Sequence, residues 1–159
     1  MRHRLGNLIA LGSALACLVG GVAVAQDKPA DNMDVLREKL RADKKAVVAE
    51  VLQLTEGEAK VFWPVYNAYQ SDMVTHYDQL LKLLDTYASS YETMSDAQAT
   101  SLLQQYLGLE REHVALLTSY LPRFQKVLPP KKVAKLYQVE NKARALVNYE
   151  LARGIPLVK

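Results

Sequence analysis

Apolar residues return every three or four positions along most of this chain, which is the spacing of amphipathic helices. No segment shows the two-residue alternation of a β-strand between hairpin turn signals. The pattern predicts four helices: from Asp31 or Asn32 to about Leu52, from Thr55 to about Ala88, from Ser95 to about Val127, and from about Pro130 to Ala152.

Each predicted helix has a stripe of apolar positions that we expect to point inward, away from solvent. The stripes of the second and third helices are the longest. The inward positions are Leu36, Leu40, Val47 and Val51 in the first helix; Ala59, Phe62, Tyr66, Tyr69, Met73, Tyr77, Leu80, Leu84 and Tyr87 in the second; Leu102, Leu103, Tyr106, Leu107, Val114, Leu117, Leu121 and Phe124 in the third; and Val133, Leu136, Ala143 and Val147 in the fourth.

Two short motifs mark the starts of the central helices. In each motif an apolar residue precedes a hydroxyl residue, and a Glu or Gln follows three positions later. This is a capping box, in which the hydroxyl accepts a hydrogen bond from the first turn and the Glu or Gln accepts one from the capping residue. At the third start Pro130 replaces the box, because proline suits the first helical position. The two boxes consist of Leu54, Thr55 and Glu58, and of Met94, Ser95 and Gln98.

These elements predict an all-α fold without a sheet. Each central helix would be about 45–50 Å long at 1.5 Å per residue, so we expect an elongated four-helix protomer. Pro64 and Pro122 lie inside these helices, where proline removes a backbone hydrogen bond and crowds the preceding turn. The sequence therefore predicts a kink or a break near Trp63 and a kink at Pro122.

The first 25 residues have the features of a secretory signal peptide. Arg2 and Arg4 form a charged start, an uncharged stretch follows, and Ala23-Val24-Ala25 fits the small-x-small cleavage rule. The chain is therefore predicted to be exported and cleaved after Ala25.

Two alternatives use the same segment. The uncharged run Leu5–Ala25 is long enough to remain as a membrane anchor. Cys17 follows Ala14-Leu15-Ala16, which weakly resembles a lipoprotein cleavage site. Polar residues and glycines dilute the run and a cleavage site follows it, so the sequence favours a cleaved signal over both.

After cleavage, residues 26–32 would form a polar leader and residues 33–159 a single all-helical domain. The signal takes with it Cys17, the one cysteine of the chain, so the exported domain has no disulfide and depends on packing. It also takes two of the arginines behind the formal net charge of +3. The balance that remains does not indicate a nucleic-acid partner.

An exported, all-helical chain with repeated Leu-Thr-x-x-Glu/Gln helix starts resembles the Spy/CpxP-like periplasmic proteins, which are known by an LTxxQ motif. The matching residues are those of the two capping boxes. The runs 62–66, 128–132 and 155–157 are similar to one uncharacterised bacterial branch of this family. Glu58 stands in place of Gln and the second copy begins Met-Ser, but both changes keep the capping chemistry.

The resemblance implies a periplasmic four-helix protomer, often a curved antiparallel homodimer, that holds unfolded clients without ATP. Some members of the family instead regulate envelope-stress sensors or bind metal. We therefore expect an ATP-independent chaperone-like protein or an envelope-stress adaptor. Its partners would be unfolded or partly folded envelope proteins, a sensor protein or a second copy of the chain, with no cofactor and no nucleic acid.

Tyrosine is unusually abundant, with nine tyrosines against two phenylalanines. A tyrosine pairs an apolar ring with a hydroxyl that prefers water, so it suits half-buried positions on long helices. It also suits an adaptable apolar surface that holds many clients. The client-binding candidates are Tyr66, Tyr69, Met73, Tyr87 and Tyr91.

The alternative function is that of a metal-binding sensor or resistance protein. His76 and His113 are the histidines that follow the signal, and a hairpin of the central helices would place them within about a turn of each other. Asp72 and Glu110 lie four and three residues earlier, so each shares a helix face with its histidine. These four side chains are a ligand set that suits zinc.

An enzymatic function is not expected. The chain has no glycine-rich phosphate loop and no nucleophile motif, and Gly57 is a lone helix glycine. The remaining choice depends on the structure. A chaperone needs an exposed apolar surface, whereas a metal sensor needs both histidines close together among carboxylates.

Overall fold

The computed structural model of this chain describes residues 42–158, so the predicted signal, leader and first-helix start lie outside the described residues. Four helices, which we number α1 to α4, account for most of the described chain, and no strand occurs within it. The all-α prediction is confirmed, and the described helix ends lie close to those predicted. The helices are α1 (42–52), α2 (Glu56–Ser90), α3 (Asp96–Val127) and α4 (Pro130–Gly154).

Contacts within the chain divide it into two compact units. Among the described residues, the first unit consists of residues 42–53 together with Lys135–Gly154, and contains α1 and most of α4. The second unit consists of Leu54–Ala134 together with residues 155–158, and contains α2, α3 and the start of α4. The single domain expected over 33–159 stays a prediction.

Both capping boxes form as the sequence predicts. Thr55 Oγ1 accepts a hydrogen bond from the Glu58 N–H at 3.3 Å, and Glu58 Oε2 accepts one from the Thr55 N–H at 2.8 Å. Ser95 and Gln98 make the same exchange at 3.3 and 3.0 Å. Each box thus satisfies N–H groups that have no acceptor within their helix.

Replacing Thr55 or Ser95 with alanine removes the hydroxyl acceptor, and we expect each variant to lose about 1 kcal/mol of unfolding free energy. Denaturant melts of the single variants measure this loss. The matched control is Thr75→Ala, because this hydroxyl lies within α2 and donates to the Ser71 carbonyl instead. The control should change by less than about 0.5 kcal/mol. Equal losses at the caps and at the control would contradict the capping role.

Glu58 has a second function beyond its capping box. Its Oε2 atom also accepts a hydrogen bond from Lys132 Nζ at 2.6 Å, which ties the first turn of α4 to the first turn of α2. The Lys132 hydrogen bond and the Thr55 N–H both stabilise the carboxylate, so they lower the pKa of Glu58. The stabilisation that depends on this carboxylate is therefore present near neutral pH and is lost as the pH falls through the lowered pKa.

Rings from α2 and α3 meet in pairs across an antiparallel hairpin, and they form the core of the second unit. Phe62 meets Phe124 with ring centroids 6.0 Å apart, and Tyr69 meets Tyr120 at 5.3 Å. The buried positions of α2 recur with the heptad spacing of a coiled-coil seam. They are Phe62, Tyr66, Tyr69, Met73, His76 and Leu83.

The inward positions predicted for α1 are wrong by one residue. Val48 and Leu52 are buried, whereas Val47 and Val51 are 49% and 36% exposed. A shift of one residue rotates the buried face by about 100°, and both pairs have the same four-residue spacing. In α4 the prediction is confirmed at Val133 and Leu136, which are buried, while Ala143 and Val147 are half-buried. Leu36 and Leu40 lie outside the described residues.

The first unit contains a partly buried ion pair as well as apolar contacts. Glu140 is 8% exposed, and its Oε2 atom accepts a hydrogen bond from Lys44 Nζ at 2.7 Å. A buried carboxylate needs such a partner because burial alone disfavours its charge.

Pro64 and Pro122 lie inside α2 and α3, and both helices continue through them. The break considered near Trp63 therefore does not occur, whereas the two kinks stay predictions. Next to Pro64, Phe62 and Tyr66 are fully buried, and this packing offsets the hydrogen bond that proline removes.

Candidate functional site

Three of the five client-binding candidates are core residues, and this corrects the interpretation of the tyrosine stripe. Tyr66 and Tyr69 are each 1% exposed and Met73 is 3% exposed, so none of them can contact a client on the folded surface. The sequence pattern was that of a core stripe, as aromatic residues at helical spacing commonly are.

The other two candidates, Tyr87 and Tyr91, are half-buried near the end of α2, with their rings stacked 6.1 Å apart. The Tyr87 hydroxyl donates to the Pro156 carbonyl at 2.5 Å, so the chain after α4 is fixed to this residue. Burial raises the pKa of Tyr87. Tyr87 therefore has a structural contact of its own, and only part of its ring is accessible.

Most of the exposed large apolar residues of the hairpin lie on α3, where there are five, whereas α2 has Val61 and Leu81. We define the α3 strip as the five large apolar residues of this helix that are at least a third exposed. Leu103 and Val114 are the most exposed, at 58% and 57%. The α3 strip consists of Leu103, Tyr106, Leu107, Val114 and Leu121.

Helix geometry places these residues on a continuous surface. At 100° per residue, Leu103, Leu107, Val114 and Leu121 lie within about 40° of one another, whereas Tyr106 lies at the edge of the seam, at the same angle as Phe124. From residue 103 to residue 121 the strip is about 27 Å long. Glu110 borders it on the seam side. Arg111 borders it on the opposite side, so the strip is a long apolar surface with one charged residue at each edge near its middle.

The α3 strip was predicted to be core, and the reason for this error is the width of the apolar arc on α3. The buried residues of this helix are His113, Tyr120 and Phe124, and together they cover a narrow face toward α2. A two-helix seam buries only such a narrow face, while the apolar residues of α3 extend well beyond it. The sequence signal that could have identified the strip is that the apolar arc of α3 is wider than a two-helix seam can bury. His113 lies at the centre of the buried face.

The two histidines do meet, as the hairpin register predicts. Their ring centroids are 5.4 Å apart, and His76 and His113 are 6% and 3% exposed. No hydrogen bond within the described chain reaches the buried Nδ1 atom of either ring, although other atoms of both side chains have contacts. The pair therefore forms an imidazole layer inside a seam that is otherwise built of aromatic and aliphatic side chains.

The four-residue metal set is not assembled around this pair. The carboxylate of Asp72 accepts a hydrogen bond from the Tyr120 hydroxyl at 2.6 Å. Across residues 42–158, no group of three or more His, Cys, Asp or Glu side chains is placed to hold a metal ion. Of the candidate ligands Asp72, His76, Glu110 and His113, the structure brings together the two histidines.

Tyr120 is 2% exposed and its hydroxyl bonds the Asp72 carboxylate. Burial, followed by the hydrogen bond to Asp72 and then the negative charge of Asp72, raises the pKa of Tyr120 to about 12. Since the folded pKa lies above the ordinary value of 10, protonated Tyr120 contributes stability below pH 10, and this contribution is lost as the pH rises from 10 to 12.

We expect the unfolding free energy of the wild type to fall more between pH 8 and pH 11 than that of Tyr120→Phe, because phenylalanine cannot ionise. Urea melts at the two pH values measure this difference. Tyr149→Phe is the matched control: Tyr149 is 60% exposed and should leave the wild-type pH dependence unchanged. The same loss in Tyr120→Phe as in the wild type would contradict the assignment.

The second unit also has a small cleft, which is too small for a typical small-molecule ligand. Its volume is about 160 Å³, below the roughly 300–1,000 Å³ typical of sites for small molecules. Its lining is mostly uncharged and polar: Thr86, Ser90, Gln98, Ser101, Leu102 and Gln105.

None of the helices in the described chain is long and apolar enough to cross a bilayer. Comparison of the chain with protein-family models, curated proteins and solved structures finds no match. The resemblance to the Spy/CpxP-like proteins therefore stays a prediction that rests on the residues of the two capping boxes and on the runs 62–66, 128–132 and 155–157.

Proposed function

We propose that this protein is an exported, ATP-independent chaperone-like protein that holds unfolded envelope proteins on the α3 strip. The observation that carries the proposal is the exposure of Leu103, Leu107 and Val114, at 58%, 46% and 57%, on one side of a long helix. Exposed apolar surface of this extent marks sites of interaction with other chains.

The strip has the properties that holding an unfolded chain requires. An extended segment of about eight residues matches its length of about 27 Å at 3.3 Å per residue. Contact between the client and the strip would bury apolar area without specific hydrogen bonds. Each client residue would therefore bind weakly, and clients of many different sequences would bind. Such binding is released by dilution or by folding of the client and needs no ATP.

The adaptor function is the second candidate, and the same strip supports it. An amphipathic helix of a folded sensor protein could pack its apolar face on Leu103, Leu107 and Val114, as helix-in-groove partners do. The two candidates differ in the client, which is unfolded in the first and folded in the second. The metal-sensor alternative has less support, because two histidines meet without a third ligand among the described residues.

Light scattering tests the chaperone function. A chemically denatured client is diluted into buffer without ATP, alone and with a several-fold molar excess of this protein. We expect the protein to delay and reduce aggregation, and an inert protein of similar size and charge to have no effect. Equal aggregation of the client with and without this protein would contradict the chaperone function. The adaptor function would then be tested with a folded sensor domain.

A further inference from the structure

The His76–His113 layer differs from the other layers of the α2–α3 seam in that both of its rings can take up a proton. The pair follows the heptad positions of the seam, seven residues from Tyr69 on α2 and from Tyr120 on α3. The neighbouring layer pairs Tyr69 with Tyr120 at 5.3 Å, almost the same separation as the 5.4 Å between the histidines. The hairpin therefore closes on two imidazoles with nearly the same ring spacing as on two phenol rings.

We propose that the His76–His113 layer is a pH-sensitive switch, which keeps the α2–α3 hairpin closed while it holds no more than one proton and weakens the hairpin when both imidazoles are protonated. Histidine is the side chain that changes charge between pH 5 and pH 8. This inference goes beyond the proposed function and does not depend on it.

Burial and proximity both oppose the second proton. His76 and His113 are only 6% and 3% exposed as residues, so each charge would lose most of its hydration. Two positive charges with ring centroids 5.4 Å apart also repel each other strongly in a medium less polar than water. Separation of the helices relieves both costs, because it returns the imidazolium groups to water.

The other ionisable groups near the layer favour a first proton more than a second. On α3, Glu110 lies one turn before His113, so its carboxylate can offset one positive charge. On α2, Asp72 lies one turn before His76, but its carboxylate already accepts the Tyr120 hydrogen bond. Tyr77 lies beside His76 at 5.7 Å between ring centroids and is uncharged in this pH range. By helix geometry Asp78, Arg111 and Glu112 lie on other faces.

The test compares thermal unfolding at pH 7.5 and pH 5.0. The full chain carries His3→Gln, so that the pair supplies all remaining histidine. The variant carries His76→Leu and His113→Leu in addition, which keeps an apolar layer in the seam. We expect the midpoint of the parent to fall by about 5 °C more than that of the double variant between the two pH values. The single variants should fall by an intermediate amount.

Carboxylates elsewhere contribute equally to both proteins, so the difference between them isolates the histidine layer. The same pH dependence in parent and double variant would overturn the proposal, as would a parent that is more stable at pH 5.0 than at pH 7.5.

Histidine NMR of the parent provides a measurement that does not depend on how the variants fold. We expect the two imidazoles together to bind no more than one proton in the folded state at a pH at which a free histidine is fully protonated. Two imidazoles that both titrate like free histidine in the folded protein would overturn the proposal.

Discussion

Tyr66→Ala is expected to lower the unfolding free energy by about 3–5 kcal/mol, which is the cost of truncating a large buried aromatic side chain. Tyr66 is 1% exposed, and its ring lies 5.4 Å from Phe62, 5.7 Å from Trp63 and 6.1 Å from Tyr69. Alanine would leave a cavity among these rings, because the two helices that surround it cannot collapse without moving the whole seam. Such a loss is a large part of the stability of a small domain.

Denaturant melts followed by circular dichroism measure this loss. Tyr106→Ala is the matched control, since it truncates a tyrosine of the same hairpin that is 44% exposed. We expect the control to lose much less, of the order of 1 kcal/mol or below. If both variants lost the same amount, Tyr66 would not be a core residue, and its original interpretation as a client-binding side chain would regain support.

The parts of the fold that sequence predicts well are those that depend on neighbouring residues. The starts of α2 and α3 follow from the Thr55 and Ser95 boxes, in which the partners are three residues apart. The ends of the helices follow from interruptions of the apolar pattern. The meeting of His76 with His113 also follows from sequence, because two helices joined by a short turn can pair in few registers.

One local feature gives no such signal. Gln53 ends α1 in the left-handed region, with φ of 45°, and its N–H bonds the Ala49 carbonyl at 3.1 Å. This conformation is typical of glycine at helix ends, because other side chains are crowded there. Glutamine at position 53 therefore gives no signal in the sequence that α1 ends there. The end of α1 was predicted instead from the capping box that follows it at Thr55.

The orientation of the helices could not be predicted, because it depends on contacts between distant parts of the chain. The apolar positions of α1 allow either Val47 with Val51 or Val48 with Leu52 to face inward, and packing selects the second pair. On α3 the apolar arc is wider than the seam with α2, so sequence alone cannot say which edge stays exposed. The client-binding candidates were misplaced for the same reason.

Replacing Leu103, Leu107 and Val114 together with glutamine is expected to abolish most of the suppression of client aggregation. These three residues are about half exposed and are the most exposed aliphatic residues of the α3 strip, so the change removes the apolar area that a client would contact. Glutamine forms helices well, and surface substitutions of this kind usually change stability by less than about 0.5 kcal/mol each. Function should therefore be lost while the fold remains.

The matched control carries three glutamine substitutions at apolar residues outside the strip: Val61, Leu81 and Leu146, which are 48%, 45% and 48% exposed. Both triple variants remove a similar amount of exposed apolar surface. If clients bound to any exposed apolar residue without preference, both variants would therefore lose the same amount of activity. Light scattering of the denatured client, with circular dichroism as the measure of folding, should separate them: the control retains wild-type suppression and the strip variant does not. Suppression that survives in the strip variant would show that clients bind elsewhere, whereas an equal loss in both would show that total apolar exposure, and not the α3 strip, carries the activity.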